Sequence, residues 1–298
     1  MVSSATASTQ KPDLTSWALL VTCAFIWGGS FILMKKGLTA FSAPQVAALR
    51  IFFAMLVFIP FMPRAFKDLK PGQLRTIWTV GFFGNALPPF LFTAAQTHIN
   101  SATAGILNAL SPIFTLIIGL IAFGMVFNMQ KLMGVLVGFL GAFSLIIHTA
   151  QGNSASDYSY GLLVVLATVC YGISINMVKA RCQDISPITI NAISFASWGL
   201  WVTIYLFSGD FVHRCQTEPN AQVAIMSLIT LSLFGTALAS IIYYYLAQRT
   251  DALFSSMTTY LMPVFSIAWG VWDGESVDMV YFLGILFIFA GIYLTQRK

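Results

Sequence analysis

Charge is what this chain of 298 residues has least of. It holds fifteen Lys and Arg and ten Asp and Glu, together 8% of the sequence, and 58% of its residues are hydrophobic. Soluble domains carry roughly 25% charged residues. So few charges cannot cover a globule of this size, which excludes an ordinary soluble enzyme and leaves lipid as the solvent for most of the surface. The Lys and Arg occur singly or in pairs between apolar runs, which argues against nucleic acid as a partner despite a net charge of +5. Histidine is scarce, at three, and the four cysteines show no metal-ligand spacing, so no metal or other cofactor is expected. The acids fall between the apolar runs and never within one. With no acid pair, no His cluster, no activated nucleophile and no phosphate-cradling Gly loop, a membrane-embedded enzyme is the least supported class.

What is abundant is long apolar sequence, with a mean hydropathy of +0.82. A spanning helix needs about 20 mostly apolar residues. Ten runs meet that need, approximately Trp17 to Met34, Pro44 to Met62, Trp78 to Ala95, Thr103 to Gly124, Leu132 to His148, Tyr160 to Val178, Pro187 to Phe207, Val223 to Ala247, Ala252 to Trp272 and Met279 to Thr295. They are continuously apolar rather than alternating, which predicts helices and not a barrel. A polar tail, residues 1–14, precedes the first run and no small-residue cleavage pattern follows it, so that run is read as a mature helix.

Placing successive loops on alternate sides sorts the basic residues. Lys11, Arg64, Lys67, Lys70, Arg75, Lys131, Lys179, Arg181, Arg249, Arg297 and Lys298 share the side of the N-terminus, and only Lys35, Lys36 and Arg214 lie opposite. The asymmetry predicts that both termini are cytoplasmic. Cys182 and Cys215 then lie on opposite sides, Cys23 and Cys170 inside runs, and no disulfide is expected.

The chain repeats itself. A shift of 143 lays Leu19, Ala24, Gly29, Met34, Lys36, Pro44 and Phe52 on Leu162, Ala167, Gly172, Met177, Lys179, Pro187 and Phe195. A shift of 151 lays Phe83, Gly84, Leu110, Pro112, Phe114 and Gly119 on Phe234, Gly235, Leu261, Pro263, Phe265 and Gly270, and at 150 Gly134 and Gly141 meet Gly284 and Gly291. Pro, Gly and Lys in register from end to end signal a repeat. Five helices per copy is an odd number, so the second copy enters the membrane from the other side. The expected fold is therefore an all-α integral membrane protein of ten transmembrane helices arranged as two inverted five-helix repeats, residues 15–150 and 151–298. Such repeats recur in secondary transporters, with the substrate near the midplane between them.

Trp27-Gly28-Gly29-Ser30-Phe31, then Lys35, Pro44 and Ala47-Ala48-Leu49-Arg50, resembles the first-helix pattern of EamA-type permeases of the drug/metabolite transporter (DMT) superfamily. Leu110-Ser111-Pro112-Ile113-Phe114, Leu261-Met262-Pro263-Val264-Phe265, the paired glycines near each half's end, Gly235-Thr236-Ala237-Leu238-Ala239 and Gly274-Glu275 resemble its later signatures. Met125 stands where the family has a Glu after Gly124. The resemblance runs from about Trp17 to Leu294 and implies export or exchange of small metabolites through a basket of ten helices.

Polar groups in a lipid-embedded helix must face a cavity or another helix. Asn108, Ser111, Pro112, Thr115 and Gly119 share one face of the fourth run, and Ser255, Thr259, Met262, Pro263, Ser266 and Gly270 the matching face of the ninth. The glycines are read as close-packing residues. Asn108 and Thr259 are read as lining a cavity, with helix packing the alternative. Pro112 and Pro263 are candidate gate hinges or fixed bends. Arg50 lies well inside the second run, where it either meets an anionic group or gate or bonds loop carbonyls. Trp27 lines the cavity, Tyr243 and Tyr244 line it or sit in the interfacial belt, and Asn85 and Thr236 are equivalent polar positions of the third and eighth runs. Together with Ser30 these make up the candidate substrate site. Lys35 and Lys36 read as snorkelling anchors, and His98 and His148 as solvated helix ends. Absence of a membrane-embedded carboxylate argues for exchange, facilitated diffusion or coupling through a less obvious group. The expected function is a secondary transporter, exporter or exchanger of small metabolites by alternating access, with a channel-like pore as the alternative. The expected setting is a bacterial inner membrane, with the lipid bilayer and a small-molecule substrate as partners and a monomer or homodimer as the assembly.

Overall fold

The computed structural model describes residues 12–99, 101–150, 158–272 and 279–296, and among them all regular structure is helical, with no strand. Five helices are long and apolar enough to cross a membrane: α1 (Leu14–Gly37), α2 (Ala43–Lys67), α6 (Gly161–Arg181), α7 (Pro187–Ser208) and α8 (Ala221–Arg249). Between and after them lie α3 (73–96), α4 (101–122), α5 (Met129–Ala150), α9 (252–272) and α10 (Met279–Gln296). Starts follow capping chemistry: Asp13 accepts the Ser16 amide at 3.0 Å before α1, Ser42 and Gln45 form a capping box before α2, and Ser186 caps α7 ahead of Pro187. The apolar runs thus become helices with ends shifted by a few residues.

Several helices are interrupted, α1, α3 and α8 where the sequence pattern foresaw no break, and α4 and α9 within a few residues of the bends expected at Pro112 and Pro263. The helical run of α1 changes at Gly29, and α3 and α8 each contain a π-helical stretch, Phe82–Ala86 and Leu231–Leu238. These stretches are equivalent under the 151-residue shift. Helix α4 parts at Ala109 and Leu110 into Ser101–Asn108 and Ser111–Ala122, and α9 parts at Met257 into Ala252–Ser256 and Thr258–Trp272.

Packing pairs the halves reciprocally. The first helix of each half lies on the fourth helix of the other: Trp17 meets Phe254 and Phe25 meets Phe265 across α1 and α9, while Asn176 of α6 donates to the Thr115 carbonyl of α4 at 2.9 Å. Helix α2 lies antiparallel to α7, with Phe58 stacked on Phe195 at 5.4 Å and Met55 against Gly199. Helices α5 and α10 meet glycine to glycine. A Cβ on Gly141 would stand 2.7 Å from the Gly284 carbonyl oxygen, and one on Gly291 would collide with the backbone of Gly138 and Gly134. Since Gly134 is equivalent to Gly284 and Gly141 to Gly291, the pair closes on itself in antiparallel fashion. Small residues let the two backbones approach.

Large apolar side chains face outward around the bundle, among them Ile121, Leu162, Trp201, Phe282 and Leu286. Charges gather at the two ends. At one end Lys70 bonds Asp184 at 2.9 Å, Arg249 bonds Asp13, and Lys131 lies 3.6 Å from Asp251. At the other, Gln45 donates to Asp210 at 2.7 Å and Arg214 bonds the same carboxylate and the Ala40 carbonyl. The described residues of each end are those that the alternating loop assignment puts together. All four cysteines are free.

Candidate functional site

The site grows out of the interruptions. A π-helical turn shifts the backbone hydrogen-bond register and leaves carbonyls open to other donors. In α8 the Gly235 carbonyl is one of these and accepts the Trp27 indole N–H at 2.8 Å. The next residue, Thr236, turns its hydroxyl toward α2, where Oγ1 accepts a hydrogen bond from Arg50 Nε at 2.7 Å. In α3 the equivalent π-helical turn presents Asn85, whose Nδ2 lies 3.4 Å from Asn191 Oδ1 on α7. The second helix of each half therefore reaches the π-helical turn of the other half with a polar side chain.

Glycine opens both turns. A Cβ on Gly84 would stand 2.5 Å from both Ser174 Oγ and Tyr244 Oη, and one on Gly235 would stand 2.8 Å from Ser30 Oγ. Hydroxyls of the opposite half occupy the space that side chains at these positions would need. Where α4 and α9 part, their ends face each other, and Asn108 Nδ2 points at Met262 Sδ, 3.7 Å away.

These elements enclose a cavity with about 940 Å³ of empty space, its open mouth included. Arg50, Asn85 and Asn108 reach it from one half, Ser174, Thr236 and Thr259 from the other. Its aromatic wall includes Trp27, edge-on to Tyr243 with centroids 5.0 Å apart, and Phe92, stacked on Tyr171 at 6.1 Å. Arg50 is the one formally charged residue among the described lining residues, and no carboxylate among the described residues pairs with it. No group of three or more His, Cys, Asp or Glu is placed to hold a metal ion among the described residues.

Of the residues singled out in the sequence, Trp27, Ser30, Arg50, Asn85, Asn108, Ser111, Thr236, Tyr243, Tyr244 and Thr259 come together around this cavity. Thr115 does not. It is buried one turn further along α4, its hydroxyl donates to the Ser111 carbonyl at 2.8 Å, and its own carbonyl is taken by Asn176 of α6. The straight-helix stripe misplaced it because α4 breaks at 109–110 and turns its second segment. The side chains of Ser266 and His148 and the loop bearing Glu275 lie outside the described residues. Pro112 and Pro263 sit beside the cavity rather than in its wall. Pro112 occupies the first turn of the second segment of α4, where a missing N–H costs nothing, so the break precedes it. Pro263 lies inside the Thr258–Trp272 segment, and α9 breaks six residues earlier, at Met257. His98 is exposed beyond the end of α3, and its ring stacks flat on Tyr160 at 3.6 Å. Tyr171, Ser174 and Asn191 were not anticipated: Tyr171 and Ser174 lie in a nearly uniform apolar run, and none of the three has a polar counterpart in the first half.

Outside the spans, Arg249 and Ser16 hold the Asp13 carboxyl below the usual carboxylate range, and Lys70 does the same for Asp184. Burial pushes the Cys182 thiol up to about 12, so it is not a nucleophile near neutral pH.

The family model described as the EamA-like transporter family matches residues 15–147 and again 159–297. An uncharacterized transporter of Archaeoglobus fulgidus is 25% identical over 288 residues, covering 96% of this chain and all of the relative. A probable terminal-alkyne amino-acid exporter of Streptantibioticus cattleyicolor is 23% identical, covering 95% of this chain and 93% of the exporter. The uncharacterized transporter YoaV of Bacillus subtilis is 22% identical over 93% of this chain and 94% of its own. One solved structure superposes with a TM-score of 0.71 at 15% identity over 94% of this chain and 96% of that one, a likeness of fold.

Proposed function

Because this chain belongs to the EamA-like transporter family and is an integral membrane protein rich in apolar helices, we propose that it is a secondary carrier that moves a small metabolite outward, or exchanges one for another, by alternating access. The observation that carries this reading is the central cavity: both halves wall it, and equivalent positions recur around it, Gly84 with Gly235, Asn85 with Thr236, Asn108 with Thr259. The reciprocal packing of first on fourth helix and the antiparallel contacts of α5 with α10 and α2 with α7 support two repeats of opposite orientation, and the repeated family match supports their extent. Inverted halves can exchange conformations, so that the gate closed on one side in one state is its mirror on the other side in the next.

Ten spans with both termini in the cytoplasm fit the basic residues at the Lys70, Lys131 and Arg249 end. A relative named as an exporter favours efflux, and bacterial relatives favour a bacterial inner membrane. In this reading Arg50, Asn85, Asn108, Thr236 and Thr259 contact substrate, Trp27, Tyr243 and Tyr244 stack on it, and the breaks at 109–110 and Met257, with Pro112 and Pro263 stiffening their far sides, are where gates bend.

The test has two arms. Metabolite profiling of medium from cells with and without the protein identifies what leaves. Purified protein in liposomes then shows whether substrate inside accelerates uptake of labelled substrate outside. Carrier action predicts several-fold stimulation. Uptake indifferent to internal substrate would assign the same helices to an open pore.

A further inference from the structure

We infer that the substrate is an organic monoanion, a carboxylate joined to a flat apolar body, and not a zwitterion or a cation. This rests on the carrier reading above and adds the chemistry of what is carried. A cation in the interior of a membrane protein is costly unless paired or hydrated. Arg50 has no carboxylate partner among the described residues, and no acid stands in the described cavity wall. Its Nε donates to Thr236 at 2.7 Å, which fixes the plane of the guanidinium. That is the one side-chain hydrogen bond Arg50 makes among the described residues, and Arg50 lines the cavity. A planar fork held at one corner, with its other donors open, matches a carboxylate bonded in bidentate fashion.

The rest of the wall decides the remainder of the ligand. Trp27 is locked by its bond to the Gly235 carbonyl and stands edge-on to Tyr243, and Phe92 stacks on Tyr171. Rigid rings of this kind favour a flat apolar body. An ammonium group would find amides and hydroxyls but no carboxylate, while adding a second positive charge beside Arg50.

A consequence follows for the cycle. With an anion bound the cavity is neutral, and without one it carries Arg50 alone. Closing the empty cavity therefore removes an unpaired charge from water, and closing the loaded one does not. Exchange of anions across the membrane should run at least tenfold faster than net efflux.

The experiment uses one benzyl group in four charge states. Phenylpyruvate (anion), phenylalanine (zwitterion), phenethylamine (cation) and phenylacetamide (neutral) are titrated against the full-length protein in detergent at pH 7.5, with tryptophan fluorescence and thermal stability as readouts. Phenylpyruvate is expected to bind at least tenfold more tightly than the other three. Arg50→Gln should remove that preference, and Arg50→Lys should keep part of it. The charge series on the unaltered protein stands even where a variant folds poorly. Equal binding of all four, a preference for the amine or the amino acid, binding of none, or a preference that survives Arg50→Gln in monodisperse protein would overturn the inference. The same probes in the liposome exchange assay separate the two levels: anion-selective binding without counterflow keeps the ligand class and removes the carrier, whereas counterflow of phenylalanine without binding of phenylpyruvate keeps the carrier and removes the ligand class.

Discussion

The two halves agree closely at one contact and differ at another. Where α5 meets α10 the pairing is self-matching, glycine on glycine, and either half could supply either side. Where the second helix of one half reaches the π-helical turn of the other, the first half brings Arg50 to Thr236 and the second brings Asn191 to Asn85. The position equivalent to Arg50 in the second half is Ile193, fully buried. Shape is thus duplicated while charge is not. A contact between two equivalent helices must match itself, whereas a substrate of the proposed class needs its charge met once.

The largest expected effect lies at the matched contact. In Gly291→Ala the added methyl meets backbone of α5, which cannot rotate away as a side chain does. Overpacking of this kind costs about 1–3 kcal/mol even where neighbours yield. Monodisperse yield from detergent should collapse, and wild-type yield would show that α5 and α10 can separate freely.

Next in size is the change that makes the halves alike. Arg50→Ile puts in the first half what the second has at the equivalent position. Losing a hydrogen bond to a charged group removes about 1.5–3 kcal/mol, roughly ten- to hundredfold in initial transport rate at low substrate. Yield should hold, since a charge has left the membrane interior. Normal transport at normal yield would remove Arg50 from the site.

The glycines of the π-helical turns sharpen the comparison further. Gly84→Ala meets the hydroxyl of Tyr244, whose buried ring has little room to move, as well as that of Ser174. It should cost about 1–3 kcal/mol and lower the thermal midpoint of the purified protein. Gly235→Ala meets mainly Ser30 Oγ, which can rotate, and gains about 0.5–1 kcal/mol of helix preference over glycine, so it should come out near neutral. Equal loss in both would mean that the turns, not their neighbours, require glycine.

The smallest effect is at the surface. Lys70 and Gln73 hold the Asp184 carboxyl below its ordinary value, so its contribution is present above about pH 3.9, the unfolded value, and fades as pH falls below it. The exposed pair is worth a few tenths to about 1 kcal/mol. Asp184→Asn should lower the thermal midpoint slightly at pH 6 and not at pH 3. A larger loss at pH 3 would contradict this sign.

Much of this was legible in the sequence because lipid imposes long apolar runs and a repeat shows itself through Pro, Gly and Lys in register. The polar stripe singled out Asn108 and Thr259, and both line the cavity within two residues of a break in their helices. It failed at Thr115, beyond the break. The π-helical turns at 82–86 and 231–238 leave no trace in hydropathy, because one extra residue per turn changes register without changing composition. Tyr171 and Ser174 were missed for a related reason: their run is apolar all round, and only its packing tells which face meets the cavity.

That both halves wall one pathway which opens to each side in turn is tested most directly with single cysteines. Asn108→Cys and Thr259→Cys are introduced into protein in which Cys23, Cys170, Cys182 and Cys215 are replaced, with Leu136→Cys and Leu286→Cys on the outward apolar face as controls. A membrane-impermeant thiol reagent is applied from either side of oriented vesicles. Both cavity cysteines should react from each side, substrate should slow the reaction from both, and the controls should stay inert. Reaction of both cavity cysteines from one side alone, with or without substrate, or inertness equal to the controls, would contradict a shared alternating pathway.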